Sequence, residues 1–240
     1  MMPAYMNWSG GKDSSLCLHH ILKEGKYRVD YLLTSVNSMY NRISMHGVRR
    51  DLLEAQAKSL GIPLHTVELS EQPGMKEYEQ AMRDKTSFLK SKGCDHAIFG
   101  DIFLEDLKQY REQKLGELNI SCVFPLWKIP TRDLMNEFLE MGYKAILVCI
   151  NEEYLNKKFC GRLIDKSLLN DFPENVDPCG ENGEYHSYVY DGPIFRYPIH
   201  FHKAETVYRR YTAPENSSGA ASTVDHPSTY GFYFCDLLPY

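Results

Sequence analysis

The sequence predicts an α/β protein: a parallel sheet flanked by helices, followed by a smaller lobe of mixed or antiparallel strands. Three observations carry this expectation. Strand-like and helix-like segments alternate from the first residues to about residue 151. The strand-like runs are continuously apolar, the pattern of strands buried on both faces. The rhythm then breaks, and from Glu184 the chain becomes aromatic and alternating, as in antiparallel strands.

Taken in order, a short apolar segment passes through Ser9-Gly10-Gly11-Lys12-Asp13-Ser14 into a helix-like pattern. VDYLLTSV (29–36) reads as a buried strand, and 47–60 as an amphipathic helix ended by Gly61. PLHTVEL reads as a strand, 75–92 as a helix ended by Gly93, HAIFGD (96–101) as a strand and 103–116 as a polar helix. SCVFPL (121–126) is a strand, 131–141 a helix with Thr131 as N-cap candidate, and KAILVCI (144–150) another strand of the parallel sheet. These five or six βα units predict a first domain over 1–151. The smaller lobe takes 152–240, with helix and loop to 180, antiparallel strands from 184, an exposed mobile loop at 213–228 and a last strand near the end.

Composition narrows the classes. The chain has 240 residues, 43% hydrophobic and 25% charged, with a formal net charge of −5. A basic excess for general nucleic-acid binding is missing. No apolar run approaches the ~20 residues of a bilayer span, and no basic segment followed by an apolar one marks a secretory signal. The seven cysteines are scattered without C-x-x-C spacing, which argues against zinc ribbons and thioredoxin-like sites and predicts a reduced, cytoplasmic protein.

The Ser9–Ser14 stretch reads as a phosphate site. Adjacent glycines between a strand and a helix let backbone N–H groups approach an anion, and the helix N-terminus adds its positive end. Lys12 supplies charge for phosphate, Ser9 and Ser14 supply hydroxyls, and Asp13 is placed to hold a metal ion. It is not Walker A, whose glycines are spaced differently. These six residues would arise by chance about once in 10^7 positions, so a plain helix cap is the poorer reading. The stretch is similar to the PP-loop of N-type ATP pyrophosphatases, which split ATP between its α- and β-phosphates.

A second unusual segment is DPCGENGEYHSYVYDGP, 177–193. Alternation puts Glu184, His186 and Tyr188 on one strand face and Tyr185, Ser187 and Val189 on the other. Two carboxylates and an imidazole beside a flexible backbone suit the holding of a polar substrate and the acceptance of protons; a plain hairpin with solvated carboxylates fits the spacing equally well. Together with the first loop, Glu181-Asn182-Gly183-Glu184-Tyr185-His186-Ser187 resembles the E-x-G-E-[YF]-x-T signature of the diphthine–ammonia ligase (diphthamide synthetase) family, with Ser187 in place of threonine. The resemblance covers most of the chain and takes in His46, Gly100-Asp101, Trp127 and Pro178-Cys179-Gly180-Glu181.

That resemblance implies a Rossmann-like sheet of adenine nucleotide alpha-hydrolase type, an ATP-binding domain over 1–151 and a substrate-binding lobe over 152–240. It implies an enzyme that adenylates a carboxylate, diphthine on elongation factor 2, and transfers ammonia to it, with ATP and Mg2+ required and AMP and pyrophosphate released. Ser9, Gly10, Gly11, Lys12, Asp13 and Ser14 would hold the phosphates, with Ser35, Asn37, His46, Gly100 and Asp101 completing the nucleotide site. Asp13 and Asp101 would be the metal-side carboxylates. Gly180, Glu181, Asn182, Gly183, Glu184, Tyr185 and His186 would face the acceptor, and Lys12, Asp13, Glu181 and Glu184 would carry the chemistry. Two other readings stay open: a pyrophosphatase acting on another acceptor, such as a tRNA base or a small carboxylate, and a non-catalytic ATP sensor.

Other signals read as structural. His19-His20 and the His200/His202 pair lack a third metal ligand at motif spacing, and 76–92 is a solvated helix face. The aromatic C-terminal strands read as core of the second lobe, with a homodimer surface as the alternative.

Overall fold

In a computed structural model of the protein, residues 1–43, 46–71, 73–212 and 229–240 are described; the loop expected at 213–228 lies outside them. The chain runs β1 (Met2–Asn7), α1 (Lys12–Glu24), β2 (Tyr27–Asn37), β3 (Arg42–Ile43), α2 (Arg50–Leu60), β4 (Leu64–Leu69), α3 (Met75–Ser91), β5 (His96–Ile98), α4 (Glu105–Gly116) and β6 (Ser121–Val123). It continues with α5 (Thr131–Glu140), β7 (Lys144–Asn151), a 3-10 turn at Lys157–Phe159, α6 (Lys166–Asp171), β8 (Tyr185–Asp191), β9 (Phe201–Thr212) and β10 (Thr229–Pro239).

The first sheet is the expected α/β core. Its parallel strands lie in the order β4-β2-β1-β5-β6, with the two-residue β3 pairing antiparallel to the end of β2. Successive residues of β1 enter opposite cores: Ala4 and Met6 pack with α1, α2 and α5, while Tyr5 packs with Leu89 of α3 and Leu115 of α4. Leu32 and Leu33 of β2 divide in the same way. Both faces are therefore covered, which is why these strands carry no polar alternation. Burial of side chains as large as Trp8, Tyr5 and Phe138 stabilises by about 2 kcal/mol each.

The strand order reverses at β1. Strands β2 and β4 lie on one side of it and β5 and β6 on the other, so the carboxyl ends of β1 and β5 flank a topological switch point, the usual ligand crevice of such sheets.

The second sheet, β8-β7-β10-β9, is antiparallel throughout. This corrects the expectation that 144–150 extends the parallel sheet. β7 is the second sheet's inner strand, paired to β8 and β10, and every residue from Ala145 to Asn151 is buried. An apolar run reports burial on both faces but not the direction of its neighbours. Two strands are also shorter than expected, because the chain leaves the sheet at Phe99 and before Pro125. Thr131 is not an N-cap: α5 is capped by Pro130, and Thr131 Oγ1 instead donates to Asp177 Oδ2 at 2.7 Å.

Residues of both sheets share one apolar cluster through α1, α2 and α5. On the outer strands Cys235 and Leu237 belong to the core, whereas Tyr208 and Tyr211 are exposed. His202 packs on Tyr240 with rings 3.8 Å apart, and His20 pairs with Glu137. All seven cysteines are free thiols, and among the described residues no helix is long and apolar enough to cross a membrane.

Candidate active site

The Ser9–Ser14 loop joins the end of β1 to α1 at the switch point. Gly10 has φ 75°, left-handed backbone that suits glycine, and a Cβ there would lie 2.6 Å from Gln56 Oε1. Gly11 is the extended N-cap of α1. Local bonds fix the turn: Gly11 N donates to Ser9 Oγ (3.3 Å), Ser14 Oγ donates to the Gly11 carbonyl (2.9 Å), and the two serine hydroxyls lie 3.2 Å apart.

The loop is also held from outside at Gly10. The Gly10 carbonyl accepts from Gln56 Nε2 and from Val189 N, both at 2.9 Å. Gln56 is fully buried; its amide also donates to the Val189 carbonyl (2.6 Å) and accepts from Trp8 Nε1 (2.9 Å). Sequence reasoning missed it, although an amide among Leu52, Leu53, Ala57 and Leu60 on an apolar helix face is a signal.

After β5, Gly100 brings the backbone against the first turn of α1, where a Cβ would sit 3.1 Å from the Asp13 carbonyl. This close approach sets Asp101 beside Asp13. Arg111 of α4, also unforeseen, holds Asp101: Nη2 donates to Oδ1 at 3.2 Å and Nε lies 2.8 Å from Oδ2.

The 177–187 segment is folded around two carboxylates. Glu184 is fully buried and accepts from Asp177 N (2.8 Å), Asn182 N (2.8 Å) and Asn182 Nδ2 (3.0 Å). Asp177 accepts from Cys179 N (2.8 Å), Glu181 N (3.4 Å) and Thr131. Gly180 and Gly183 provide the tight corners, and Tyr185 Oη donates to the Pro178 carbonyl.

The two loops are bonded to each other. Lys12 N donates to Ser187 Oγ at 3.1 Å. Lys12 Nζ, buried, donates to the Cys179 carbonyl and to both Asp13 oxygens at 2.9 and 2.7 Å, and it lies 5.2 Å from the Tyr185 ring centroid. His46 and His186 stack with ring centroids 4.3 Å apart. Glu181 shares the electrostatic field of Asp13, Lys12 and Asp101.

Ser35 and Asn37 lie near the end of β2, where the hydroxyl of Thr34 donates to the Trp8 carbonyl. Ser35 pairs with Val67 in the sheet, and Asn37 uses its side chain on the turn after β2: Oδ1 accepts from Met39 N and Tyr40 N at 3.1 Å, and Nδ2 donates to the Ser70 and Glu71 carbonyls.

The crevice holds surplus negative charge. Burial, then Asp13, push the Glu181 carboxyl up to about 8, against the opposing pull of Lys12. Burial also raises Asp101, with Asp13 adding to it and Arg111 countering. Burial disfavours the Lys12 ammonium, yet Asp13 and its other neighbours hold its pKa well above the ordinary value. Burial depresses both imidazoles, His186 to about 4 and His46 well below the ordinary range, and the Lys12 charge works in the same direction on each. Among the described residues no group of three or more His, Cys, Asp or Glu is arranged to hold a metal ion. The fit to a divalent cation is that of the Asp13/Asp101 pair alone, with its other ligands coming from phosphate and water, as magnesium usually takes them.

The family model described as diphthamide synthase N-terminal domain matches residues 2–120, and the diphthamide synthase C-terminal domain matches 130–213, which takes in α5, β7, β8 and β9. A protein named diphthine–ammonia ligase from Schizosaccharomyces pombe is 26% identical over 229 residues, covering 88% of this chain and 37% of that protein. One of the same name from Danio rerio is 28% identical over 225 residues, covering 83% of this chain and 86% of that protein. The chain thus spans little more than a third of the yeast relative's length. With both family models matched across most of its residues, the chain belongs to the diphthamide synthase family.

Proposed function

We propose that this protein is an ATP-dependent carboxylate–ammonia ligase that forms AMP, and that its acceptor is diphthine on elongation factor 2. The observation that carries the reading is the junction at Lys12. Its backbone and side chain bond to the 177–187 segment, which brings a phosphate-type loop and a polar acceptor-type loop to one crevice.

A carboxylate is a poor acylating group because oxide leaves badly. Its oxygen attacks the α-phosphorus of ATP; the bond from that phosphorus to the β-bridging oxygen breaks, and pyrophosphate departs with the electron pair. The lone pair of ammonia then forms the C–N bond, the C–O bond to phosphate breaks, AMP leaves, and nitrogen loses a proton. Both steps develop charge on phosphate oxygens, so the loop N–H groups, the Ser9 and Ser14 hydroxyls and Lys12 carry the stabilisation. Asp13 and Asp101 would hold magnesium, which would supply further positive charge to the phosphates. Arg111 aims Asp101.

Glu181 is the carboxylate placed to meet the acceptor or to take a proton. Glu184 does neither directly, since its oxygens are engaged by 177 and 182; it positions the segment. Asn37 holds the turn after β2.

The test is reconstitution with magnesium ATP, ammonium and elongation factor 2 carrying diphthine. AMP and the acid-to-amide mass change on the factor are expected together. ADP and phosphate as the products would overturn the adenylation; AMP with an unchanged factor would overturn the acceptor.

A further inference from the structure

The stacked pair His46/His186 lies beside the 177–187 segment, where His46 reaches the Ser187 backbone, and it is built in an unusual way. The rings lie 4.3 Å apart at an interplanar angle of 27°. His46 Nδ1 is buried and has no hydrogen-bond partner among the described residues, a costly state that a ligand with an N–H to donate would relieve. His186 stands next to Ser187, the residue that seats the Lys12 backbone, so the pair adjoins the junction of the two loops. Behind it the backbone at Gly47 packs against Phe234 of β10, where a Cβ would come within 2.7 Å of the ring. Both residues are half-buried overall, while His46 Nδ1 itself is closed off.

We infer that His46 and His186 form the site at which ammonia is held as the free base for attack on the activated carboxylate; the inference rests on the ligase reading above. Ammonia that donates an N–H to an imidazole nitrogen keeps its lone pair, the nucleophile, pointing away. The receiving nitrogen must be unprotonated, and burial together with the Lys12 charge keeps both rings neutral. The same charge disfavours ammonium, which has no lone pair to offer. A carboxylate would do the opposite and bind ammonium as its inert salt. This divides the labour in the crevice: the acidic groups serve the phosphate side, and the neutral imidazoles serve the nitrogen donor.

The test reads binding and turnover separately. In wild-type protein with 15N-labelled histidine, the His46 and His186 ring resonances are expected to move on titration with ammonium chloride at constant pH and not with sodium chloride. In His186→Phe and His46→Phe, which keep the stack and delete the nitrogens, KM for ammonium is expected to rise about tenfold, the worth of one hydrogen bond, with KM for ATP unchanged. Resonances that ignore ammonium, or folded variants whose ammonium KM matches wild type, would overturn the inference even where wild type makes the amide. If wild type makes no amide from any carboxylate, the ligase reading fails and the inference goes with it. The wild-type titration does not depend on whether the variants fold.

Discussion

The Ser9–Ser14 loop and the 177–187 segment meet at Lys12 but are built differently. In the first, the turn is set by left-handed backbone at Gly10 and by hydrogen bonds within six residues, and the helix that follows does the rest. In the second, the shape comes from two carboxylates, Asp177 and Glu184, that gather backbone N–H groups around themselves. A locally built loop keeps its shape when a distant residue changes. A segment wound around buried carboxylates loses it when one of them is removed. The comparison separates residues that touch phosphate from residues that keep the acceptor side in place.

Lys12→Ala strikes where the two designs meet, and the largest effect is expected there. AMP formation should fall by about 10^3-fold, the scale of losing a preorganised electrostatic group, as followed by AMP release from ATP. Glu184→Ala comes next and should act on folding. Three N–H groups lose their acceptor, and stability should drop by about 3 kcal/mol in urea denaturation, with Glu184→Gln recovering part of it. If Glu184 instead contacts the acceptor, Glu184→Ala would leave stability intact and abolish amide formation. Gln56→Leu tests a long-range tie on the local loop. It strands the Trp8 N–H and removes one donor from the Gly10 and Val189 carbonyls, and it should cost about 2 kcal/mol while weakening ATP binding measured by calorimetry.

The smallest effect is in pH dependence. Glu181 has its pKa raised in the folded chain from 4.5 to about 8, so the native state binds more protons than the unfolded state between those values, and stability falls as pH rises through that window. Glu181→Gln should therefore raise the melting temperature at pH 8 and leave it little changed at pH 4, in protein free of nucleotide and metal. A melting temperature equally shifted at both pH values would mean that Glu181 carries no such strain.

The difference between the loops also decides what could be read from the sequence. Ser9–Ser14 was legible because its chemistry and its geometry lie in the same six residues, between an apolar strand and an amphipathic helix. Gly100-Asp101 was expected only through the family resemblance. For 177–187 the residue types were legible and their roles were not. Alternation placed Glu184 on a strand face beside His186, whereas its carboxylate turns back to bind 177 and 182, which periodicity cannot show. Asn37 was expected at the nucleotide and is spent on a turn. Arg111 lies on a helix without a strong apolar stripe to flag it. The direction of β7 was hidden for a related reason, since its neighbours β8 and β10 come later in the chain.

The central claim is that the two loops form one nucleotide-responsive site. Hydrogen–deuterium exchange with and without magnesium ATP tests it without knowledge of the acceptor. The account expects ATP to slow exchange at the amides of both Gly10–Ser15 and Cys179–Ser187, because the Lys12 junction couples them. Protection confined to Gly10–Ser15, with the second segment exchanging as before, would contradict it.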